Sequence, residues 1–459
     1  MNEISGQDGI QIVGQQQVGT MQQQEKEKAD IVFGIEERTL LEKQLHAVRS
    51  VGSFIHGRTL ALLATHQKYL VPSLLQSQAR LVDSLVCDQV IDYRYDGAFH
   101  GGKGTKFSLK RENKAGIVYF CPMKTNIDLQ PYNSFGFHAV AKHFVEINDI
   151  QELEALIHSE EFKKEKHLIL SGGNNILFQE EQYDGIIVQI NTKGIEILEE
   201  RDNDVVVRAQ AGEDWPEFVK FCVEKGWYGI ENLAHIPGKV GAAPVQNIGA
   251  YGMELKDCFL KCEALELSTG SQRVFTKDAC QFGYRNSIFK NELKGQYVIT
   301  SVEFLLHKQA PLKLEYGNIK AYLTEHQIEA PTLLQLHDAI CAIRDAKLPD
   351  PRIIGNAGSF FKNPVIEKAQ FEALQKDHPN IPHYDESNGK VKVPAGWLIE
   401  QAGWKGWRNE HVGVYEKQAL VLVHYGGGKG EDIVELAQRI QQSVEAKFGI
   451  RISPEVNFV

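Results

Sequence analysis

The chain contains no run of about eighteen apolar residues, the length a helix needs to cross a bilayer. Its first residues also lack the charged, then apolar, then small-residue order of a signal peptide. A cytoplasmic protein with no membrane insertion is therefore expected. Cysteine is sparse and unpaired in pattern: Cys87, Cys121, Cys222, Cys258, Cys262, Cys280 and Cys341 form no CxxC motif. Scattered thiols of this kind fit a reducing compartment. Cys258 and Cys262 have no histidine nearby at a zinc-like spacing, so no metal site is expected.

Excess positive charge is missing as well. Fifty Lys and Arg against sixty Asp and Glu leave a net charge of −10 and a pI of about 5.9. That balance argues against a nucleic-acid partner. Phosphate-binding signatures fail on spacing: GGKGT at 101–105 lacks the GxxxxGK[ST] pattern, and GGGKGE at 426–431 breaks G-x-G-x-x-G at its last position. No internal repeat is visible.

What remains is ordinary globular sequence, with 42% apolar and 24% charged residues over 459 positions, enough for two or three domains with real cores. The first 122 residues stand apart. They begin glutamine-rich, carry weak helical patterns over 35–85 and become polar and turn-rich near 101. Met123 reads as a natural start, so residues 1–122 are expected to be either a disordered extension or a misassigned start.

From Asn133 the pattern becomes regular. Asp149 and Glu152 form a capping box before an apolar helical stripe. His167–Leu170 reads as a strand that runs into Ser171-Gly172-Gly173-Asn174-Asn175, a loop able to aim backbone N–H groups at a phosphate or carbonyl. Strands are expected at 185–190, 204–210, 261–267 and 296–306. Helices are expected at 215–225, closed by Gly226, after Thr332 as far as Lys347, near 366–376 and over the final stripe Ile433, Leu436, Ile440, Val444 and Phe448. Pro349 and Pro351 mark a domain boundary.

Residues 236–252, IPGKVGAAPVQNIGAYG, are too long and too rich in glycine for a simple turn and show neither helical nor strand periodicity. Such a backbone lets a flat or charged ligand approach closely. Further along, Arg285, Ser359 and Glu455 sit among apolar or glycine-rich neighbours. An internal salt bridge and a turn cap would account for them singly. Together they also suit reduction of a carbon–carbon double bond conjugated to a carboxylate, with the hydride supplied by a cofactor.

The blocks LSGGNNILF, AGEDWPEFV, GIENLAHIPGKVGAAPVQNIGAYG, CQFGYRNSIFK, KLPDPRIIGNAGSFFKNP, VPAGWLIEQAG and PEVNF follow the order of the UDP-N-acetylenolpyruvoylglucosamine reductase (UDP-N-acetylmuramate dehydrogenase) family, and residues 133–459 resemble it. The resemblance implies an α+β fold. An FAD-binding domain of the vanillyl-alcohol-oxidase type would span 123–348, and a smaller α+β substrate-binding domain 349–450. A terminal strand at 451–459 would return a glutamate to the site. It further implies non-covalent FAD and NADPH as hydride donor. The activity would be reduction of UDP-N-acetylglucosamine enolpyruvate in peptidoglycan synthesis by a monomer.

Carried over by position, Ser359 is the proton donor, and Arg285 and Glu455 stabilise developing charge. Gly172, Gly173, Asn174 and Asn175 would hold FAD from one loop. From the long loop would come Ile236, Pro237, Gly238, Gly241, Ala242, Ala243, Pro244, Gln246, Asn247, Gly249, Ala250 and Tyr251. Tyr316, Lys347, Asn363 and Gln418 would bind the nucleotide sugar, and Tyr384 is the mobile tyrosine of the subgroup whose loop closes over substrate. Asn174 replaces a serine common in relatives, and Asn457 an arginine. An oxidase of alcohols or hydroxy acids, or a non-catalytic flavin or nucleotide-sugar binding protein, would be the competing readings on this scaffold.

A chain beginning at Met123 is expected to fold and act as the full chain does. Circular dichroism of that shorter chain tests the point, and loss of folding would assign the first 122 residues a structural role.

Overall fold

In the computed structural model, the described residues are 107–109 and 121–459, apart from 387–388. The reading of 1–122 as a disordered extension therefore falls almost wholly outside them. Among the described residues, no helix is long and apolar enough to cross a membrane, and no group of three His, Cys, Asp or Glu could hold a metal.

Two five-stranded sheets carry the first half. One is mixed and runs Phe107–Leu109, Cys121–Asp128, Val140–Ile147, Gln182–Ile190, His167–Leu170, with the last three strands parallel. The other is antiparallel and runs Gln272–Thr276, Phe259–Glu266, Tyr297–His307, Asp204–Gln210, Ile195–Glu200. Central strands read as apolar runs because both faces are covered: seven consecutive residues of Tyr297–His307, Val298 to Phe304, are buried. Helix Trp215–Glu224 packs on that strand, with Phe304 against Phe218 (4.8 Å between ring centroids) and Trp215 (6.0 Å).

Local chemistry sets the helix ends. Asp149 caps Ile150–Ile157 through the expected box with Glu152, and Asp214 caps Trp215–Glu224 by accepting from the Glu217 N–H. Thr332 and Gln335 box the start of Leu333–Lys347. The last long helix, Gly430–Phe448, buries the expected stripe and ends at Gly449 in the left-handed region that favours glycine.

That helix covers a three-stranded antiparallel sheet, Gly355–Ser359, Val421–His424 and Val412–Val414, and the small sheet Val365–Glu367, Lys390–Lys392, Tyr384–Asp385 adjoins it. The core here also takes in Phe135 and Phe137 from the first half. Asn133 explains their reach, since its buried side chain accepts from the Phe137 N–H and donates to the carbonyls of Leu129 and Phe137. Phe137 then stacks on His424 at 3.9 Å, whose Nδ1 donates to the Phe135 carbonyl at 2.7 Å. Gly355 is required at this seam, for a Cβ there would lie 2.0 Å from the Phe135 oxygen.

Several elements depart from the sequence expectation. Ile366 pairs with Val391 in a strand, so the helix begins only at Lys368. Residues 240–246 form a 3-10 helix despite Pro244. The strand Cys121–Asp128 starts two residues before Met123 and pairs with Val140–Ile147.

Phe304→Ala should cost about 3–5 kcal/mol, the range for deleting a buried aromatic ring. Urea denaturation read by tryptophan fluorescence checks this, and a midpoint unchanged from the parent protein would contradict the packing described.

Candidate active site

The two glycine-rich loops meet. Gly172 lies so near Gly238 that a Cβ on it would come within 3.1 Å of the Gly238 Cα. Gly173 has φ +66°, and a Cβ there would fall 1.9 Å from the Tyr132 carbonyl oxygen. The long loop is pinned from behind. Trp215 N donates to Gly238 O (2.9 Å), Val240 N to Glu213 O (2.9 Å) and Gly241 N to Ala211 O (2.9 Å). Gly241 abuts Ala211 with no room for a side chain.

Between the loops runs an open cleft of about 230 Å³ lined by Gly172, Gly173, Asn174, Asn175, Ile236, Pro237, Gly238, Ala242, Ala243 and Gln246, with Lys239, Lys290 and Asn457. Ser171, also on the wall, has a buried hydroxyl with no protein partner. An unsatisfied hydroxyl in a glycine cradle fits a ligand rich in acceptors, as a dinucleotide is.

Gln246 is oriented by its carbonyl. Oε1 accepts from Asn175 Nδ2 (2.9 Å) and Lys290 Nζ (3.2 Å). The Gln246 amide nitrogen has no acceptor among the described residues and remains free to donate.

Other predicted members of the long loop lie off the cleft. Asn247 is left-handed (φ 46°) and spends its side chain on Glu254, Gly283 O and the Lys256 N–H. Pro244 is buried. Gly249, Ala250 and Tyr251 continue toward Arg285 and Tyr316. The Tyr251 carbonyl accepts from Asn232, and its ring lies 3.4 Å from a Cβ built on Gly317.

Arg285 and Glu455 are brought together from opposite ends of the chain. Gly283 and Asn286 close a two-residue turn by exchanging backbone hydrogen bonds of 3.0 and 3.2 Å. Arg285 occupies the position of that turn with φ 51°, where glycine or asparagine is usual. Holding a side-chain-bearing residue there costs about 1–2 kcal/mol. The strained turn aims the guanidinium inward: Nη2 donates to Gly249 O (2.5 Å) and Nε faces Glu455 Oε1 at 3.2 Å. Gly249 must lack a side chain, because a Cβ would sit 2.9 Å from the Met253 carbonyl oxygen and 2.8 Å from Nη1. Nη1 itself has no acceptor among the described residues.

Glu455 N donates to Phe360 O (2.7 Å), while the Glu455 carbonyl accepts from Asn175 Nδ2 (3.4 Å). Two residues on, Asn457 N and Nδ2 both donate to Asn175 O, at 3.1 and 3.0 Å. Asn457 thus makes neutral hydrogen bonds to the first loop. Ser359 precedes Phe360 and is exposed, with no partner for its hydroxyl among the described residues. Its turn is fixed by buried Asn356, whose Oδ1 accepts from the Gly358 N–H and whose Nδ2 donates to Pro349 O and Ile354 O.

The remaining predicted residues divide. Tyr316 and Tyr384 come together with rings stacked 6.0 Å apart, and burial, then Tyr384, pushes the Tyr316 phenol up to about 12. Asn363 caps helix Ala395–Gln401 through the Ala395 N–H (2.9 Å), and its own N–H bonds the Tyr284 hydroxyl beside Arg285. Gln418 Oε1 accepts from Leu420 N (3.3 Å), against Gly396. Lys347 is exposed at the end of its helix with no partner among the described residues.

Sequence reasoning missed three cations. Arg344 donates to His235 O (3.0 Å) and interacts electrostatically with Tyr251 and Arg285; burial lowers its pKa. Lys392 pairs with Glu386 (2.5 Å) and lies 4.6 Å from the Tyr284 ring centroid. Lys290 stands in the cleft wall. Arg344, four residues after Ile340 on the apolar face of its helix, was legible as a buried charge; the lysines carried no such signal.

Comparison with known proteins defines first the class. Residues 141–276 match the family model of an FAD-binding domain, and the fold resembles a solved UDP-N-acetylenolpyruvylglucosamine reductase from Thermus caldophilus (TM-score 0.51, 19% identity, 74% of this chain and 98% of that one). This is an α+β flavoprotein fold. Residues 350–459 match the C-terminal domain of UDP-N-acetylenolpyruvoylglucosamine reductase. The reductase of Flavobacterium johnsoniae is 46% identical over 338 residues, covering 73% of this chain and 99% of that one. That of Bacteroides fragilis is 44% identical over 337 residues, covering 73% and 100%. The chain belongs to the UDP-N-acetylenolpyruvoylglucosamine reductase family.

Gly173→Ala should weaken FAD retention at least about tenfold, since a left-handed backbone and an occupied Cβ position are both violated. Flavin absorbance after gel filtration measures it, with circular dichroism as the folding control. Full retention would place the cofactor elsewhere.

Proposed function

We propose that this protein is an FAD-dependent, NADPH-dependent reductase that converts UDP-N-acetylglucosamine enolpyruvate to UDP-N-acetylmuramate in cytoplasmic peptidoglycan synthesis, working as a monomer. The observation that carries the reading is the Arg285–Glu455 pair beside the turn of Ser359, at the end of a glycine-lined cleft. FAD, when bound, supplies the two-electron hydride chemistry that no side chain offers.

The chain's own residues account for the rest. The loop at 172–175 and the Gln246 amide hold the cofactor, Asn175 linking it to the tail that bears Glu455. Arg285 keeps Nη1 free for the substrate carboxylate, while Glu455 fixes the guanidinium plane through Nε. As hydride reaches the vinyl carbon, negative charge grows on the carbon beside that carboxylate. A positioned cation and N–H donors stabilise such charge most in a water-poor site. Ser359 Oγ, uncommitted to the protein, donates the proton that completes the reduction.

Substrate binding falls to the second half and its border. Lys347 and Arg344 offer positive charge for a diphosphate, Asn363 and Gln418 present amide nitrogens left free by their bonded oxygens, and Tyr384 folds over toward Tyr316.

Ser359→Ala separates the two halves of the reaction. NADPH should still bleach the yellow protein at the parent rate without oxygen. Return of colour on adding the enolpyruvyl nucleotide sugar should slow about 10²–10⁴-fold, the usual worth of a general acid. Stopped-flow absorbance reads both phases, and unimpaired recovery would remove Ser359 from the mechanism.

A further inference from the structure

Of the two lysines in the cleft wall, Lys239 is tied down, donating to the Ile190 backbone carbonyl and to the Asn191 side-chain Oδ1. Lys290 has no such tether. It ends the short 3-10 turn Ile288–Lys290, and that turn is fixed from below. Ser287 Oγ accepts from Phe289 N (3.2 Å) and donates to Val245 O (2.6 Å). The Lys290 ammonium is thereby delivered to the residue after Val245, meeting Gln246 Oε1 at 3.2 Å. Gln246 is neutral, and no carboxylate lies within ion-pairing distance of Lys290 among the described residues.

The charged groups that act on it are Lys362, Glu455, Arg285 and Lys294, three cations and one carboxylate. Arg285 and Glu455 identify the end of the cleft as the reacting one. Burial and the neighbouring cations, against the pull of Glu455, hold the ammonium down to about 8. A partly buried cation short of a counter-charge is stabilised by any anion that forms beside it. Hydride transfer to FAD creates such an anion.

We infer that Lys290 is the counter-charge for the reduced cofactor, raising the reduction potential of FAD in this cleft and, where it is neutral beforehand, taking up a proton as the hydride arrives. The inference rests on the FAD reading above. The balance is simple: NADPH gives up two electrons and one proton as a hydride and leaves as NADP⁺, and the isoalloxazine gains one bond to hydrogen and one negative charge. A neutral Lys290 then takes one proton from solvent, restoring the local charge.

The sign of the pH effect follows. Below about pH 8 Lys290 is already protonated, so reduction draws no extra proton through it. Above that pH it is neutral before reduction and charged after, so one additional proton enters per two electrons until the raised pKa of the reduced state is passed.

The test is the two-electron potential of the holoenzyme, measured against a reference dye from about pH 6 to about pH 10. The parent protein should show a steeper segment beginning near pH 8. Lys290→Met should abolish that segment. Below it, the reduction equilibrium should fall about tenfold, the order expected for unit charges about 10 Å apart at an effective dielectric near 20. For a two-electron couple that is about 30 mV. Lys290→Arg should restore the potential without restoring the steeper segment, because guanidinium does not titrate in this range.

A Lys290→Met holoenzyme with the parent potential overturns the inference. So does a parent curve of uniform slope near pH 8, which decides the matter alone should the variant lose FAD. Failure of the parent protein to bind FAD would instead remove the cofactor reading.

Discussion

The site depends on one short stretch of backbone, 453–459, hydrogen-bonded on both sides. On one side Lys362 N donates to Ser453 O (2.9 Å) and Glu455 N to Phe360 O (2.7 Å). On the other, Asn457–Phe458 adds in parallel to Ile176–Leu177, and Asn457 clamps the Asn175 carbonyl. Glu455 stands where the two sets meet. Neither half of the protein could hold a carboxylate against Arg285 alone, since Arg285 hangs from the first half and Phe360 from the second. The stitch converts a junction between two cores into a site with fixed geometry.

Strain and packing then act together. A left-handed Arg285 persists because a two-residue turn, the Gly249 carbonyl and Glu455 over-determine it. Glycine is needed at 249 for a reason unrelated to its own φ: the Met253 carbonyl and the Arg285 guanidinium crowd the space of its Cβ. At 173 the backbone itself requires glycine. The same residue type thus serves close approach in one loop and conformation in the other.

Much of this was legible in the sequence where a single local rule decides. The capping box at Asp149, the strand Asp204–Gln210 and the helix Leu333–Lys347 fall where residue pattern places them. Tertiary pairing defeated the pattern at Ile366, which reads as helical but is drawn into a strand by Val391. It also defeated it in 240–246, where backbone bonds to Ala211 and Glu213 fold a segment without periodicity into a 3-10 helix. Arg285, Ser359 and Glu455 could be singled out as polar residues in apolar surroundings. That Arg285 and Glu455 meet came only from the family resemblance and not from the residue pattern, because 170 positions of chain separate them and only the tail's docking joins them. Lys290 and Lys392 look like surface lysines in one dimension, and their partners are set entirely by packing.

The doubly bonded carbonyl of Gln246 has a consequence for recognition. A free glutamine amide can turn over and present either oxygen or nitrogen to a ligand, so a wall built from one is indifferent to the polarity of what it meets. Here Asn175 and Lys290 occupy the oxygen, and rotation would set donors against donors. The cleft therefore has a fixed hydrogen-bonding sense before any ligand enters. It accepts a molecular edge that offers lone pairs and repels one of the same shape that offers hydrogens.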